Sequence, residues 1–162
     1  MVSATSYRGH VLTRIHLATC FLRRDNCVLL VASTYPNHAQ PLWNLPGGRQ
    51  RHGELLQETA ARELREETML DGTIRELLYV SESYDGETHF TNFTFSVIAE
   101  GDARCNDESG DHVVSAQWVA ISEIEKRVTV RVVREPLLAY LEGSPQRYFG
   151  YAEAGISIVF PE

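Results

Sequence analysis

Three glutamates, Glu63, Glu66 and Glu67, are spaced so that a helix would bring them to one face. Residues at i, i+3 and i+4 are neighbours on a helix surface, where like charges repel one another. One interpretation is a solvated acidic face whose repulsion is eased by Arg62 and Arg65. The other is a site for a hard divalent cation such as Mg²⁺, which binds carboxylate oxygens together with substrate phosphates. The second interpretation predicts a metal site at the edge of a helix.

The surroundings of these glutamates favour the metal site. An apolar stripe that includes Leu56 and Leu64 runs beside them, so one side of the helix is buried and the carboxylates lie at its edge. A Pro-Gly-Gly turn at 46–48 comes shortly before the helix, and its backbone groups can approach a ligand directly. Glu54 precedes Arg62 by eight residues, a spacing at which it would hold the arginine beside the carboxylates.

Hydrophobic periodicity and turn residues predict the helices and strands that would position these glutamates. The site helix is predicted over Glu54–Thr68, and a second helix is expected between Ser122 and Leu141. Charged residues 23–26 and the pair Asp85-Gly86 predict two hairpins. The predicted strands are Val11–Leu22, Cys27–Ala32, Ile74–Tyr84, His89–Glu100, Val113–Ala120 and a last short strand at Ile156–Phe160.

Composition places the chain among single-domain globular proteins. It has 162 residues, of which 43% are hydrophobic and 23% charged. The net charge of −7 disfavours nucleic acid as a partner. Three cysteines without metal-ligand spacing indicate a reducing compartment, and no stretch approaches the roughly 20 apolar residues of a membrane span. A cytoplasmic location without membrane association is therefore expected.

The segment Gly48–Leu70 resembles the Nudix box, G-x5-E-x7-R-E-U-x-E-E-x-G-U, where U is a bulky aliphatic residue. Eight of its nine specified positions match in this sequence. The departure is Met69, which stands where the family has glycine, just past the predicted helix end. Asp71-Gly72 would supply a displaced cap. The wider resemblance covers residues 10–142, and 143–162 is a C-terminal tail with no counterpart in the family pattern.

The resemblance implies an α/β fold, an α/β/α sandwich with a mixed β-sheet between helices. It also implies a pyrophosphohydrolase of nucleoside diphosphates linked to another group, with Mg²⁺ or Mn²⁺ as cofactor. By position, the carboxylates of Glu63, Glu66 and Glu67 and the carbonyl of Gly47 would be metal ligands. Arg62 would orient these carboxylates through Glu54. Further acidic ligands are sought outside the box, and Glu108 and Asp111 are the candidates, although their loop is equally explained by solubility.

The substrate is less narrowly predicted. A (d)NTP or another nucleoside diphosphate derivative is favoured, with ADP-ribose or a nucleotide sugar as the alternative. A non-catalytic nucleotide-binding module is the alternative of another class, although every glutamate of the box is kept. Many relatives are homodimers, so a second copy of the chain is a candidate partner. The candidate substrate-binding residues are Gly48, Trp43, Tyr84, His89 and Phe90, the aromatic ones being equally suited to an ordinary core.

Overall fold

Two β-sheets form the frame of the protein in the computed structural model, which describes residues 12–106 and 112–160. The strands are β1 (Thr13–Phe21), β2 (Arg23–Arg24), β3 (Cys27–Ser33), β4 (Leu42–Asn44), β5 (Gly47–Arg49), β6 (Gly72–Asp85), β7 (Thr88–Ala99), β8 (Val113–Ala120) and β9 (Tyr148–Tyr151). The helices are α1 (Leu56–Thr68), α2 (Ile121–Arg127) and α3 (Arg131–Leu141). In the described ranges, no helix is long and apolar enough to cross a membrane.

The first sheet has the strand order β5-β1-β7-β6-β9 and is mixed. Strand β1 is parallel to β7 and antiparallel to β5, while β6 and β7 form a long antiparallel hairpin. The second sheet centres on β3, which pairs with β2, β4 and β8. Strand β5, which carries the Pro-Gly-Gly turn's glycines, is therefore an edge strand of the first sheet.

The helices cover opposite sides of this frame. Helix α1 buries Ala60 and Leu64 in a core that also contains Ala18 and Cys20 of β1 and Phe95 of β7. A second core combines apolar side chains of α2 and α3 with those of both sheets; among its members are Ile124, Leu137, Phe21, Leu30 and Phe149. The predicted α/β class, with a mixed sheet between helices, is confirmed.

Three sequence predictions of local structure were wrong in detail. The predicted hairpin of Val11–Leu22 with Cys27–Ala32 forms only between β2 and β3, which the charged turn joins. Strand β1 pairs with β5 and β7 instead, because its apolar residues pack in the first sheet. The helix expected between Ser122 and Leu141 is divided into α2 and α3, with β-branched residues 128–130 extended between them. The tail strand is β9 rather than Ile156–Phe160, since Tyr148–Tyr151 extends the first sheet beside β6.

Helix α1 ends at Met69, the residue that departs from the family pattern. Met69 adopts the left-handed conformation with φ 60° and ψ 16°, and its backbone N–H donates to the carbonyl of Arg65. The displaced cap expected at Asp71-Gly72 is not used, because Met69 itself takes the conformation that glycine adopts without a steric cost. The Met69 side chain is 52% exposed, so little packing offsets that cost.

Replacing Met69 with glycine should therefore stabilise the protein. We expect Met69→Gly to raise the free energy of unfolding by about 0.5–1 kcal/mol, because relief of left-handed strain exceeds the added chain entropy. Urea unfolding followed by circular dichroism measures the change. Met69→Ala is the matched control, since alanine keeps the Cβ atom and the strain. A glycine variant no more stable than the alanine variant would contradict this account of the helix end.

Candidate active site

The acidic edge of α1 lies against the β5 edge of the first sheet. Glu63, Glu66 and Glu67 all border one cavity, together with Gly47 and Gly48 of β5. The spacing that predicted a shared helix face thus brings three carboxylates to the mouth of a cavity. Because β5 is an edge strand, the carboxylates reach around it from the helix side of the sheet.

Arg62 connects most of this acidic edge. Its guanidinium donates to both carboxylate oxygens of Glu54, at 2.5 and 3.0 Å, to Oε1 of Glu63 at 2.8 Å and to Oε2 of Glu66 at 3.2 Å. It also donates to the backbone carbonyl of Arg49 on β5 at 3.0 Å. The side chain is 17% exposed, so these ion pairs are shielded more than surface pairs are. Arg62 therefore fixes the orientation of two predicted ligands and ties α1 to β5.

Glu54 is the best-anchored carboxylate of the group. Besides the Arg62 hydrogen bonds, it accepts the backbone N–H of Arg51 at 3.0 Å and the hydroxyl of Thr59 at 2.9 Å. The hydrogen bond from Arg62 is the main cause that lowers the pKa of Glu54 to about 2, and the Arg51 backbone contributes next. The pKa of Arg62 is raised in turn, mainly through Glu54. Glu54 is therefore charged at neutral pH and positions the arginine.

The two glycines of β5 allow close packing on both sides of the strand, Gly48 against the Glu63 carboxylate and Gly47 against β1. A Cβ atom at Gly48 would lie 2.5 Å from the Glu63 carboxylate, and one at Gly47 would lie 2.3 Å from the carbonyl oxygen of Ala18. The backbone N–H of Gly47 donates to Oε1 of Glu67 at 2.6 Å. Glu67 is only 4% exposed. A side chain at Gly48 would displace the Glu63 carboxylate, and one at Gly47 would push β5 away from β1.

The cavity has a volume of about 960 Å³ and lies on the face of the first sheet opposite α1. Leu17 and Thr19 line it, while the alternating Ala18 and Cys20 pack with the helix. Apolar side chains dominate the region away from the glutamates; they include Val31, Leu42, Trp43, Phe90, Val133 and Ile158. The cavity therefore joins a charged mouth to an apolar interior.

The predicted substrate-binding residues divide into two groups. Gly48, Trp43 and Phe90 line the cavity. Tyr84 and His89 lie on the other face of the β6–β7 hairpin, where their rings stack in parallel at 4.4 Å, and His89 hydrogen-bonds Glu82 at 2.7 Å. The structure does not bring these two residues to the carboxylates. The candidates Glu108 and Asp111 lie outside the described residues.

Several cavity residues were missed by the sequence interpretation. Asn92 follows Phe90 by two positions on β7, and this alternation would have found it. The tail residues Ile156, Ile158 and Phe160 also line the cavity. They were predicted as a strand, whereas the tail here pairs with neither sheet. The amide of Asn37 fixes it instead, donating to the carbonyl of Ser157 at 2.7 Å and accepting the N–H of Val159 at 2.9 Å.

The donor set at the cavity mouth fits a hard divalent cation. Within residues 12–106 and 112–160, no three His, Cys, Asp or Glu side chains converge into a ready-made metal cage. Mg²⁺ does not need one, because it usually keeps several waters and binds one or two carboxylates plus substrate phosphates. Glu63, Glu66 and Glu67 supply the carboxylate oxygens for such an open site. Arg51 approaches Glu66 at 3.7 Å but is largely exposed, so this contact holds the carboxylate weakly.

Comparison with solved structures shows the same fold. A NUDIX hydrolase from Nitrosomonas europaea superposes with a TM-score of 0.72 at 24% identity, covering 89% of this chain and 81% of that one. The solution structure of the Escherichia coli ORF135 protein gives 0.69 at 19% identity, covering 83% and 95%. A UDP-X diphosphatase gives 0.66 at 22% identity, covering 89% and 70%.

Comparison of sequences shows the family. Two proteins named phosphatase NudJ, from Shigella boydii serotype 4 and Escherichia coli strain K12, are each 30% identical over 132 residues. The match covers 80% of this chain and 83% of each relative. The family model of the NUDIX domain matches residues 14–141, which include α1 and its glutamates. The chain therefore belongs to the Nudix family and is a Nudix hydrolase.

Proposed function

We propose that the protein is a metal-dependent pyrophosphohydrolase that cleaves the pyrophosphate bond of a (d)NTP or of another nucleoside diphosphate derivative. The observation that carries this proposal is the set of Glu63, Glu66 and Glu67, held at the mouth of a cavity by Arg62 and β5. The UDP-X diphosphatase among the structural neighbours is consistent with a nucleoside diphosphate derivative as substrate. Mg²⁺ or Mn²⁺ is the proposed cofactor.

In this proposal, Glu63, Glu66 and Glu67 hold the cation, and the carbonyl of Gly47 is a further proposed ligand. A bound divalent cation would neutralise charge on the diphosphate and lower the pKa of a coordinated water. The chain's own contribution is position and electrostatics, which phosphoryl transfer chiefly requires. Glu67 is fixed by the Gly47 N–H, and Glu63 and Glu66 are fixed by Arg62. Arg62 and Glu54 are proposed as positioning residues for these ligands.

Loss of one carboxylate charge should abolish most activity without unfolding the protein. We expect Glu66→Gln and Glu67→Gln each to lower turnover by about 100-fold or more, and to weaken Mn²⁺ binding, because a neutral amide is a poor ligand for a hard cation. Turnover is measured as phosphate or pyrophosphate release with Mg²⁺ and with Mn²⁺. The substrates are canonical and oxidised (d)NTPs, ADP-ribose, nucleotide sugars and dinucleoside polyphosphates.

Glu125→Gln on the exposed side of α2 is the matched control, since it makes the same charge change away from the cavity. It should keep the turnover and metal affinity of the parent protein. Thermal unfolding followed by circular dichroism checks that all three variants are folded. Near-parental turnover in both Glu66→Gln and Glu67→Gln would disprove the assignment of these ligands, and a folded protein inactive on every substrate would favour a nucleotide-binding module.

The Arg62–Glu54 pair should stabilise the protein in a pH-dependent way. The pKa of Glu54 falls from its ordinary value of 4.5 to about 2 in the folded state, so folding favours the charged carboxylate. This stabilisation is fully present above the unfolded pKa and is lost as the pH falls towards the folded one. The difference in free energy of unfolding between the parent protein and Glu54→Gln should therefore shrink between about pH 4.5 and pH 2.

Urea unfolding at fixed pH values, with a chelator present, measures this difference. In an Arg62→Met background the same Glu54→Gln change should lose most of its pH dependence, because the hydrogen bond that shifts the pKa is gone. A difference between the parent and Glu54→Gln that stays constant over this pH range would show that the pair does not act as described.

A further inference from the structure

One amide in the cavity wall has an oxygen without a protein partner. Asn92 lines the cavity, and its Oδ1 is the side-chain atom that is buried and makes no hydrogen bond within the described parts of the chain. A buried acceptor left unpaired costs free energy, because its hydrogen bond to bulk water has been lost. Nothing in the proposed phosphoryl chemistry uses this atom, which lies on the sheet rather than on α1.

The neighbouring hydroxyls determine which end of the amide is unpaired. The Asn92 Nδ2 group donates to the hydroxyl oxygens of Thr19 and Thr94, both at 3.2 Å. These two hydroxyls also hydrogen-bond to one another at 2.8 Å. In this arrangement the amide nitrogen is paired with both hydroxyl oxygens. The carbonyl end is the one left for a ligand.

Strand register gives the distance between Asn92 and strand β5. Leu17 of β1 pairs with Arg49 on one side and with Asn92 on the other, so the three residues form one row across the sheet. Adjacent strands lie about 4.8 Å apart, which puts Asn92 about 10 Å from β5. A pentose between a diphosphate at β5 and a ring at Asn92 would span such a gap.

The lining of the cavity around this position offers both aromatic ring faces and hydroxyl groups. Trp43 and Phe90 line the cavity, and the tail adds Ile156 and Ile158. Ser81, which pairs with Asn92 across the hairpin, and Ser83 also line the cavity, while the faces of the two aromatic rings offer a surface on which a flat heterocycle would stack. A ring with an N–H group would also satisfy the Asn92 oxygen.

We propose that Asn92 is a specificity-determining residue, whose Oδ1 accepts a hydrogen bond from an N–H group of a nitrogen heterocycle bound in the cavity. The heterocycle is the base of the substrate, so the inference rests on the proposed function for the substrate class. Recognition of the base is nevertheless separate from hydrolysis, because it needs neither the cation nor the glutamates.

The test measures binding of nucleosides, which carry no phosphate, to the full chain in metal-free buffer. Three pairs differ only in the base N–H donor: adenosine and N6,N6-dimethyladenosine, cytidine and N4,N4-dimethylcytidine, uridine and N3-methyluridine. Dissociation constants come from NMR titrations that include the Asn92 side-chain amide signal. We expect at least one parent nucleoside to shift that signal and to bind about tenfold more tightly than its methylated partner, as loss of one hydrogen bond predicts.

The same titrations with Asn92→Leu should show no preference between the paired nucleosides, whereas Asn92→Asp, which keeps an acceptor oxygen, should retain it. Thr91→Ala, on the opposite face of β7, is the matched control and should behave as the parent protein. Equal binding of the paired nucleosides by the parent protein, or no shift at Asn92, would overturn the inference. Because neither phosphate nor metal is present, an inactive enzyme would leave this result intact, and failure here would leave the proposed hydrolysis standing.

Discussion

The Arg62 guanidinium is the interaction on which the acidic site depends. Without it, the carboxylates of Glu54, Glu63 and Glu66 would meet at the helix edge with no cation between them. The arginine also reaches the backbone of β5, so the charge that offsets this repulsion anchors the helix to the sheet as well. The electrostatic and geometric requirements of the site are therefore met by one side chain.

Strand β5 determines how the carboxylates of α1 reach the cavity. A helix packs on one face of the sheet and the cavity lies on the other, so side chains from the helix must pass an edge strand to reach it. The missing side chain of Gly48 leaves room for the Glu63 carboxylate beside the strand, and the backbone N–H of Gly47 donates to Glu67. The glutamates of α1 and the apolar side chains of the opposite face thus line a single cavity, although they come from different layers of the fold.

Local sequence signals predicted helix α1 well and the long-range strand pairings poorly. Helix α1 begins at Leu56 and ends at Thr68, close to the prediction, because its composition, its apolar stripe and the preceding turn all act within a few residues. The partner of β1 could not be predicted in this way, since β7 lies 75 positions away and only the folded core selects it. The tail alternates like a strand, yet Asn37 fixes it 120 residues away through side-chain hydrogen bonds. Stacking of His89 on Tyr84, rather than against a ligand, likewise depended on register.

The placement of the two tryptophans has a spectroscopic consequence. Trp43 borders the cavity with the guanidinium of Arg127 over its ring, whereas Trp118 packs with the α1 core beneath Arg24. A molecule that enters the cavity changes the surroundings of Trp43 and leaves those of Trp118 as they were. The intrinsic fluorescence of the protein therefore contains both an occupancy signal and an internal reference, and no label has to be attached to read them.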